Sequence, residues 1–197
     1  LKSDGTKFGK TAGGSVWLDP DKTSPYQFRQ FWIQSDDASV GDYLLRFSTR
    51  PLDELQALIT EHGVAPERRL AQRALARELT ELVHGAAAAA AADEAADVLF
   101  GGDPTEASAA ALDAVAREVP SSRIGEGDLG DLVAVLVRTG LASSNSDARR
   151  NLATSTYKAN GAALDANAQL PALDRLHGRF LLLQRGRKSH HLVEVFS

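Results

Sequence analysis

The spacing of apolar residues changes near Pro120, and this change constrains the fold of the chain more than any other feature. Upstream, apolar residues recur three and four positions apart, which is the spacing of a buried helix face. The clearest stripes are Phe28, Phe31 and Trp32; Leu52, Leu55, Leu58 and Ile59; and Leu70, Leu75, Leu79, Leu82 and Val83. We expect these stripes to form a helical core. The alanine-rich stretch from Ala86 to Ala96 predicts a surface or close-packed helix after a break at Gly85.

Downstream of Pro120 the pattern predicts a small mixed module. The apolar residues from Leu129 to Val137 predict one helix that ends at Gly140, and the polar residues 144–147 offer N-caps for a second helix. Asn160-Gly161 is a strong hairpin signal, and the apolar runs 179–184 and 192–196 predict two further strands. The expected fold class is therefore mainly α followed by α+β, with two helices and a short β-sheet in the second part.

Proline, serine and glycine just before this change of pattern predict a domain boundary. These residue types cluster between Pro120 and Gly127 and interrupt any helical spacing. The sequence predicts a linker over residues 121–127, between a helical domain over 16–120 and a C-terminal module over 128–197.

Composition excludes several classes of site. The 197 residues include no Cys, so no disulfide, thiolate metal site or cysteine nucleophile can form. We expect no metal site.

The longest uniform apolar run, Ala86 to Ala92, is far shorter than the roughly 20 residues that span a bilayer. We expect a cytoplasmic protein without membrane contact. Because the chain lacks Met and begins inside what looks like a motif, we also expect it to be part of a longer one.

Positive charge is concentrated in the C-terminal module. Residues 1–127 hold 13 Lys and Arg against 20 Asp and Glu, whereas residues 128–197 hold 9 against 6. Six of the nine cations form two clusters, which are Arg149-Arg150 and the group Arg185, Arg187, Lys188 with Arg179 nearby. Such clusters suit phosphate binding, because attraction decays within a Debye length of about 8 Å. Adjacent helical residues diverge by about 100°, so Arg149 or Arg150 must face outward.

A glycine-rich segment near the start carries two lysines that could reach phosphate. Lys7 and Lys10 lie between glycines at positions 5, 9, 13 and 14. Gly9-Lys10-Thr11 matches the end of a P-loop, but Asp4 stands where the first glycine of that motif belongs. The spacing therefore argues against a P-loop.

The same segment resembles the KMSKS-type loop of bacterial tyrosyl-tRNA synthetases, in the form Lys7-Phe8-Gly9-Lys10-Thr11. Asp4-Gly5 precedes it, and Trp17-Leu18-Asp19-Pro20 and Thr23-Ser24-Pro25-Tyr26 follow. The resemblance implies a loop that closes over ATP and stabilises the leaving pyrophosphate. It assigns Lys7, Lys10 and Thr11 to catalysis, with Lys10 as the first choice for the ATP contact. Mg²⁺ is expected to accompany ATP without protein ligands from this chain.

The helical part resembles the anticodon-binding domain of that family. Thr23-Ser24-Pro25-Tyr26 leads into Phe28, Phe31 and Trp32, and then into Asp36-Asp37. These two carboxylates could accept hydrogen bonds from a guanine edge in an exposed anticodon. The alternative is that they form a turn or a helix cap.

The C-terminal part resembles an RNA-binding module shared by a small-subunit ribosomal protein, pseudouridine synthases and bacterial tyrosyl-tRNA synthetases. The resemblance rests on the leucine, glycine and arginine pattern from Leu132 to Leu152, on Asn160-Gly161 and on residues 185–188. It implies RNA contacts from Arg149, Arg150, Lys158, Arg185, Arg187 and Lys188. Asn145 replaces a frequent lysine of the family, and Lys158-Ala159 replaces a more apolar pair, so we expect a looser first hairpin.

Together the resemblances imply the C-terminal portion of a tyrosine–tRNA ligase, which activates tyrosine with ATP and transfers it to tRNA(Tyr). Residues 1–15 would be the loop and connector of an α/β domain. We expect that domain itself to be absent from this chain, since no His-x-Gly-His sequence occurs here. We expect this chain alone to be inactive and the complete enzyme to dimerise through the absent domain. The alternative is a free-standing RNA-binding protein without catalysis.

Overall fold

The computed structural model describes residues 10–11 and 14–196. The chain forms two compact units, of which the first ends at Asp93 and the second begins at Glu94. In the described part of the chain, no helix is both long and apolar enough to cross a membrane.

The first unit contains a short hairpin and four helices, followed by the first half of a fifth. The hairpin joins β1 (Lys10–Thr11) to β2 (Gly14–Ser15). The helices are α1 (Pro25–Ile33), α2 (Asp37–Phe47), α3 (Leu52–Val64), α4 (Leu70–His84) and α5 (Ala86–Leu99), the last of which continues into the second unit. Ser24 begins α1 as its N-cap, because its hydroxyl accepts the Gln27 N–H and Pro25 needs no hydrogen-bond acceptor.

The helical stripes form the core of the first unit, as the sequence predicts, with two exceptions. The buried members of this core are Phe28, Trp32, Val40, Leu44, Leu55, Ala71, Leu75, Ala76 and Leu79. Leu52 and Leu82, however, are 60% and 64% exposed, so their prediction as core residues was wrong. Both lie in a terminal turn of their helix, where apolar spacing does not reveal whether a neighbouring element still covers the face.

The alanine-rich stretch forms a close-packed helix and not a surface one. Gly85 separates α4 from α5 with a φ of 85°, a conformation that favours glycine. Ala89, Ala92, Ala95 and Ala96 of α5 are all buried.

The second unit packs three helices with a five-stranded sheet. Its helices after α5 are α6 (Ala109–Glu118), α7 (Leu132–Arg138) and α8 (Asn145–Leu152). Its strands are β3 (Ser121–Gly125), β4 (Tyr157–Ala159), β5 (Ala162–Ala163), β6 (Phe180–Arg185) and β7 (Ser189–Phe196). This order of helical and then mixed structure confirms the predicted fold class.

The sheet has the order β3-β7-β6-β4-β5. Strand β3 pairs parallel with β7, and the other neighbours are antiparallel. Asn160 and Gly161 join β4 to β5 with φ values of 48° and 85°, the positive values that a tight hairpin turn requires. The predicted hairpin is therefore confirmed.

The segment that the sequence predicts as a linker is part of this sheet. Residues 121–125 form β3, which pairs with five residues of β7, and a 3₁₀ helix follows from Glu126 to Gly130. Ile124 is fully buried and anchors the strand in the core. The serines and glycines that suggest a linker thus occupy an edge strand, where small residues are tolerated.

One face of the sheet packs against α7 and α8. The core there includes Leu132, Leu136, Ala148 and Leu152 from the helices and Tyr157, Ala159, Leu181, Leu183, Val193 and Val195 from the strands. Because side chains alternate along a strand, Lys158 lies on the face opposite Tyr157 and Ala159 and is exposed. The first hairpin is therefore anchored by Ala159 in spite of its lysine.

Candidate nucleic-acid interface

Asp147 organises the end of the module where the basic clusters lie. Its side chain, 8% exposed, accepts hydrogen bonds from the Ser143 backbone N–H at 3.0 Å and from Asn151 Nδ2 at 2.7 Å. It also contacts the guanidinium groups of Arg150 and Arg185. The Ser143 N–H, together with these two arginines, holds the pKa of Asp147 well below its usual value in spite of its burial. The carboxylate therefore remains charged and joins α8 to the end of β6.

Arg185 is engaged within the protein. Its two Nη atoms lie 3.0 and 3.3 Å from the carboxylate oxygens of Asp147, and Nη1 also donates to the Leu141 carbonyl at 2.9 Å. Only 34% of the side chain is exposed. A guanidinium in this forked contact fixes two elements relative to each other, so the structure assigns Arg185 a structural role that the sequence analysis did not foresee.

The remaining cations of the two clusters are exposed. Arg150 contacts Asp147 at 3.1 Å but leaves 78% of its side chain accessible. Arg149, Lys158, Arg187 and Lys188 are exposed, and within residues 15–196 none of them forms an ion pair. Unpaired surface cations are free to bind phosphate without first breaking an internal salt bridge. Both arginines of α8 thus face outward, where the sequence required only one to do so.

The two clusters lie close to each other through Asp147. Arg150 and Arg185 both contact this carboxylate, and Arg185 ends β6 just before the turn that carries Arg187 and Lys188. Helix α8 begins at Ser144, whose hydroxyl accepts the Asp147 N–H at 3.1 Å and fixes the direction of the helix. The fold therefore gathers cations from residues 149–150 and 187–188 at one end of the module.

The predicted catalytic loop lies largely outside the described residues. Lys7 is not among them, whereas Lys10 and Thr11 form β1 and pair with Ser15 and Gly14. The roles of Lys7, Lys10 and Thr11 therefore stay predictions.

The two predicted anticodon carboxylates hold helices of the first unit. Asp36 is the N-cap of α2, where its Oδ1 accepts the Ser39 N–H at 2.7 Å. Asp37 Oδ1 accepts from the buried Gln72 Nε2 at 2.6 Å and lies 3.2 Å from His62 Nε2. The cap and helix contacts agree with the structural alternative, and a contact of either residue with an anticodon stays a prediction.

The second unit also contains a groove that no pattern in the sequence indicates. It has a volume of about 1120 Å³ and lies between the loop after α5 and the face of the sheet that carries Lys158. Phe100, Lys158, Gln184 and Arg187 are among its lining residues. An exposed phenylalanine at a helix end gives no periodic signal, so the sequence offers no means of finding this groove. Over the described residues, no cluster of three or more metal-ligating side chains occurs.

Comparisons with known proteins support the resemblances. A family model for class I tRNA synthetases of the tryptophan and tyrosine type matches residues 1–101. A model for the C-terminal domain of tyrosine–tRNA ligases matches residues 111–193. The second match favours the tyrosine type over the tryptophan type.

Individual relatives agree with these models. The chain is 44% identical to the tyrosine–tRNA ligase of Roseiflexus castenholzii, over 98% of this chain and 47% of the relative. It is 47% identical to that of Aeromonas hydrophila, over 98% of this chain and 45% of the relative. A C-terminally truncated mitochondrial tyrosyl-tRNA synthetase from Aspergillus nidulans superposes on 44% of this chain and 25% of its own, with 38% identity and a TM-score of 0.42.

The chain spans about half the length of the curated relatives that it matches. The class I family model covers just over half of the chain, and the tyrosine-specific model covers most of the rest. The chain therefore belongs to the tyrosyl-tRNA synthetase family.

Proposed function

We propose that this chain is the portion of a tyrosine–tRNA ligase that supplies the ATP-side loop and binds tRNA(Tyr). The complete enzyme would activate tyrosine with ATP and transfer the tyrosyl group to tRNA. The observation that carries the proposal is the group of exposed, unpaired cations on a module that matches the C-terminal domain of these ligases. Counterion release on binding would make the affinity for tRNA strongly dependent on salt.

The loop would act on the phosphates of ATP. Negative charge builds up on the leaving pyrophosphate when the tyrosine carboxylate attacks the α-phosphorus, and the ammonium groups of Lys7 and Lys10 would stabilise that charge. Thr11 would add a hydroxyl donor. Mg²⁺ would arrive bound to the phosphates of ATP.

Helix α8 and the turn between β6 and β7 would bind the RNA backbone. Direct phosphate contacts would come from Arg149, Arg187 and Lys188, because no carboxylate among the described residues neutralises their charges. Arg150 would also contact phosphate, because its side chain remains largely accessible in spite of its contact with Asp147. Arg185 would contribute indirectly by holding Asp147 and therefore α8 in place. Asp36 and Asp37 remain candidates for the anticodon contact.

We further propose a cytoplasmic location, since tRNA is charged for use by ribosomes, and homodimerisation through residues outside this chain.

The proposal is tested by measuring the affinity of the 197-residue chain for tRNA(Tyr) as a function of salt. Replacing both Arg149 and Arg150 by Ala should weaken binding and reduce the slope of log affinity against log salt by up to about 0.9 per lost phosphate contact. The matched control replaces Arg123 and Arg138 by Ala. This change removes the same amount of charge, but these two arginines already pair with Glu194 and Asp128.

We expect the control substitutions to weaken tRNA binding less than the Arg149 and Arg150 substitutions do. Absence of tRNA binding by the unmodified chain would overturn the proposal. Equal effects of the two pairs would show that only net charge matters and that α8 is not the binding surface.

A further inference from the structure

Phe100 is an exposed aromatic residue on a tightly closed turn of the backbone. It ends α5, where the Gly101 N–H bonds to the Val98 carbonyl at 3.3 Å and the Gly102 N–H bonds to the Asp97 carbonyl at 2.8 Å. This pair of bonds is a Schellman motif, and the φ of 104° at Gly101 suits it. A Cβ on Gly102 would stand 2.8 Å from the Asp97 carbonyl oxygen, so the turn is tightly closed. The ring of Phe100 is nevertheless 79% exposed.

The ring borders a groove whose opposite side carries positive charge. Lys158 of β4 and Arg187 of the β6–β7 turn both line it, and within the described residues neither has an ion-pair partner. The Gly186 N–H bonds to the Thr156 carbonyl at 3.2 Å, which ties the turn to the segment just before β4. The two cations therefore belong to one fixed wall.

Polar groups complete the lining. Gln184 lies directly opposite Lys158 in the sheet, so both side chains project on the same face. Asp103 lies on the Phe100 side, where the hydroxyl and backbone N–H of Thr105 donate to its Oδ1 and lower its pKa. A charged carboxylate next to a ring repels phosphate but accepts hydrogen bonds from the amino group of a base.

We propose that this groove binds an unpaired nucleotide of the RNA, with its base stacked on Phe100 and its flanking phosphates held by Lys158 and Arg187. The inference rests on the proposed tRNA-binding function and adds to it a contact to a base. Bases within a duplex are stacked on one another and cannot reach a protein ring, whereas unpaired bases are recognised on aromatic side chains beside cationic grooves. The aromatic and acidic groups thus have the chemistry that suits a base, and the cationic wall has the chemistry that suits its phosphates.

The test measures binding of the 197-residue chain to tRNA(Tyr) and to a fully paired RNA duplex of equal length. Replacing Phe100 by Ala should weaken tRNA binding roughly 5- to 150-fold, the range that corresponds to about 1–3 kcal/mol for one stacked base. Phe100→Trp should retain the affinity, and Phe100→Leu should lose it, because leucine is apolar but has no aromatic face. Duplex binding should be unaffected by all three variants.

Two controls separate stacking from charge and from misfolding. Leu82→Ala removes another exposed apolar side chain, from outside the groove, and should leave the affinity unchanged. Lys158→Gln should reduce the salt slope by up to about 0.7 for a single-stranded contact, whereas the Phe100 variants should leave that slope unchanged. Since Phe100 is exposed, its variants should unfold at the same temperature as the parent chain.

Several outcomes would overturn the inference. If Phe100→Ala binds tRNA as well as Leu82→Ala does while the Arg149/Arg150 variant is weakened, the groove does not bind a base although the proposed function stands. If Phe100→Ala changes self-association and not RNA affinity, the ring is a protein contact. If the unmodified chain binds no tRNA, the proposed function fails together with this inference.

Discussion

At the scale of single residues, the C-terminal module separates cations that hold the fold from cations that remain available. Arg185 and Asp147 are 38 residues apart in sequence and form a forked ion pair, whereas Arg149 and Arg187 have no such partner in the described structure. The two groups of cations look alike in the sequence. Their different surroundings predict different consequences of substitution.

Replacing Arg185 should destabilise the module. Arg185→Ala would leave the Asp147 carboxylate with fewer donors. Among the described residues, the Leu141 carbonyl would keep only the Tyr157 hydroxyl at 3.4 Å. We therefore expect the melting temperature to fall by roughly 4–8 °C, the shift that corresponds to about 1 kcal/mol in a domain of this size. Arg185→Lys should recover only part of the loss, because an ammonium group cannot form the forked contact. Thermal unfolding of both variants beside Arg149→Ala provides the measurement, and Arg149→Ala should unfold like the parent. A loss of tRNA affinity without any change in melting temperature would instead make Arg185 a direct RNA contact.

Lys10 is the residue on which the proposed chemistry of the loop most depends. In a complete ligase, Lys10→Ala should slow formation of tyrosyl-adenylate by roughly 100- to 1,000-fold, about 2.7–4 kcal/mol, the scale of one preorganised transition-state contact. Transfer of a preformed tyrosyl group to tRNA should be spared, because pyrophosphate has already left. Single-turnover rates of both steps on the same variant test this separation. Equal damage to activation and transfer would indicate a general loop or tRNA contact.

At the scale of elements, strand β7 carries two buried histidines, from which we expect the module to lose stability in acid. Burial lowers the pKa of His190 and of His191 from the ordinary value of 6.5, against smaller opposing contributions from the backbone of Lys188 and Thr139. His191 Nε2 also lies 2.8 Å from Ser122 Oγ of the neighbouring strand β3. Both rings are therefore favoured in the neutral form when the sheet is folded.

The direction of the pH effect follows from linkage. Below pH 6.5 the unfolded chain binds more protons than the folded one, so stability that is present above this pH is lost as the pH falls through it. We expect the free energy of unfolding to decrease from pH 7 to pH 5, with a slope of at most about 1.4 kcal/mol per pH unit for each histidine. Asp147 adds a separate loss at lower pH, since the stabilisation from its lowered pKa is complete above its ordinary value of 3.8 and is lost as the pH falls below that value. Denaturant unfolding of His190→Gln/His191→Gln should show a flatter pH dependence between pH 7 and 5, and an unchanged slope would contradict this account.

The elements that the sequence predicts well are those set by neighbouring residues. The turn at Asn160-Gly161 and the N-cap at Ser144 depend on local backbone preferences, and both occur as expected. Strand β3 is different, because its only strand neighbour is β7, which is about 70 residues later in the chain. The Arg185–Asp147 pair and the exposure of Phe100 likewise depend on distant parts of the fold. Local spacing cannot encode such contacts, so the cationic surface was predicted in outline and its division into paired and unpaired residues was not.

At the scale of the whole molecule, the two units divide the proposed work unevenly. The first unit includes the β1–β2 hairpin that contains Lys10, and the second carries the exposed cations. Net charge does not follow this division, because residues 1–93 and residues 94–197 each hold 11 Lys and Arg against 13 Asp and Glu. The excess of positive charge is confined to residues 128–197, so we expect RNA attraction there even though the chain as a whole has a formal charge of −4.

The 197-residue chain by itself should show no tyrosine-dependent exchange of pyrophosphate into ATP. A loop contact contributes about 2.7–4 kcal/mol to such a reaction, whereas holding the two reactants in position can contribute about 7–11 kcal/mol. The chain spans about half the length of its relatives, and the described residues contain only a two-stranded hairpin and one five-stranded sheet, with no wholly parallel sheet to hold ATP beside tyrosine. We therefore expect the larger contribution to be missing from this chain. The assay compares this chain with a complete tyrosine–tRNA ligase such as that of Geobacillus kaustophilus. Exchange above background would mean that both substrate sites lie within these residues, and the tRNA-binding module would then be part of a self-sufficient enzyme.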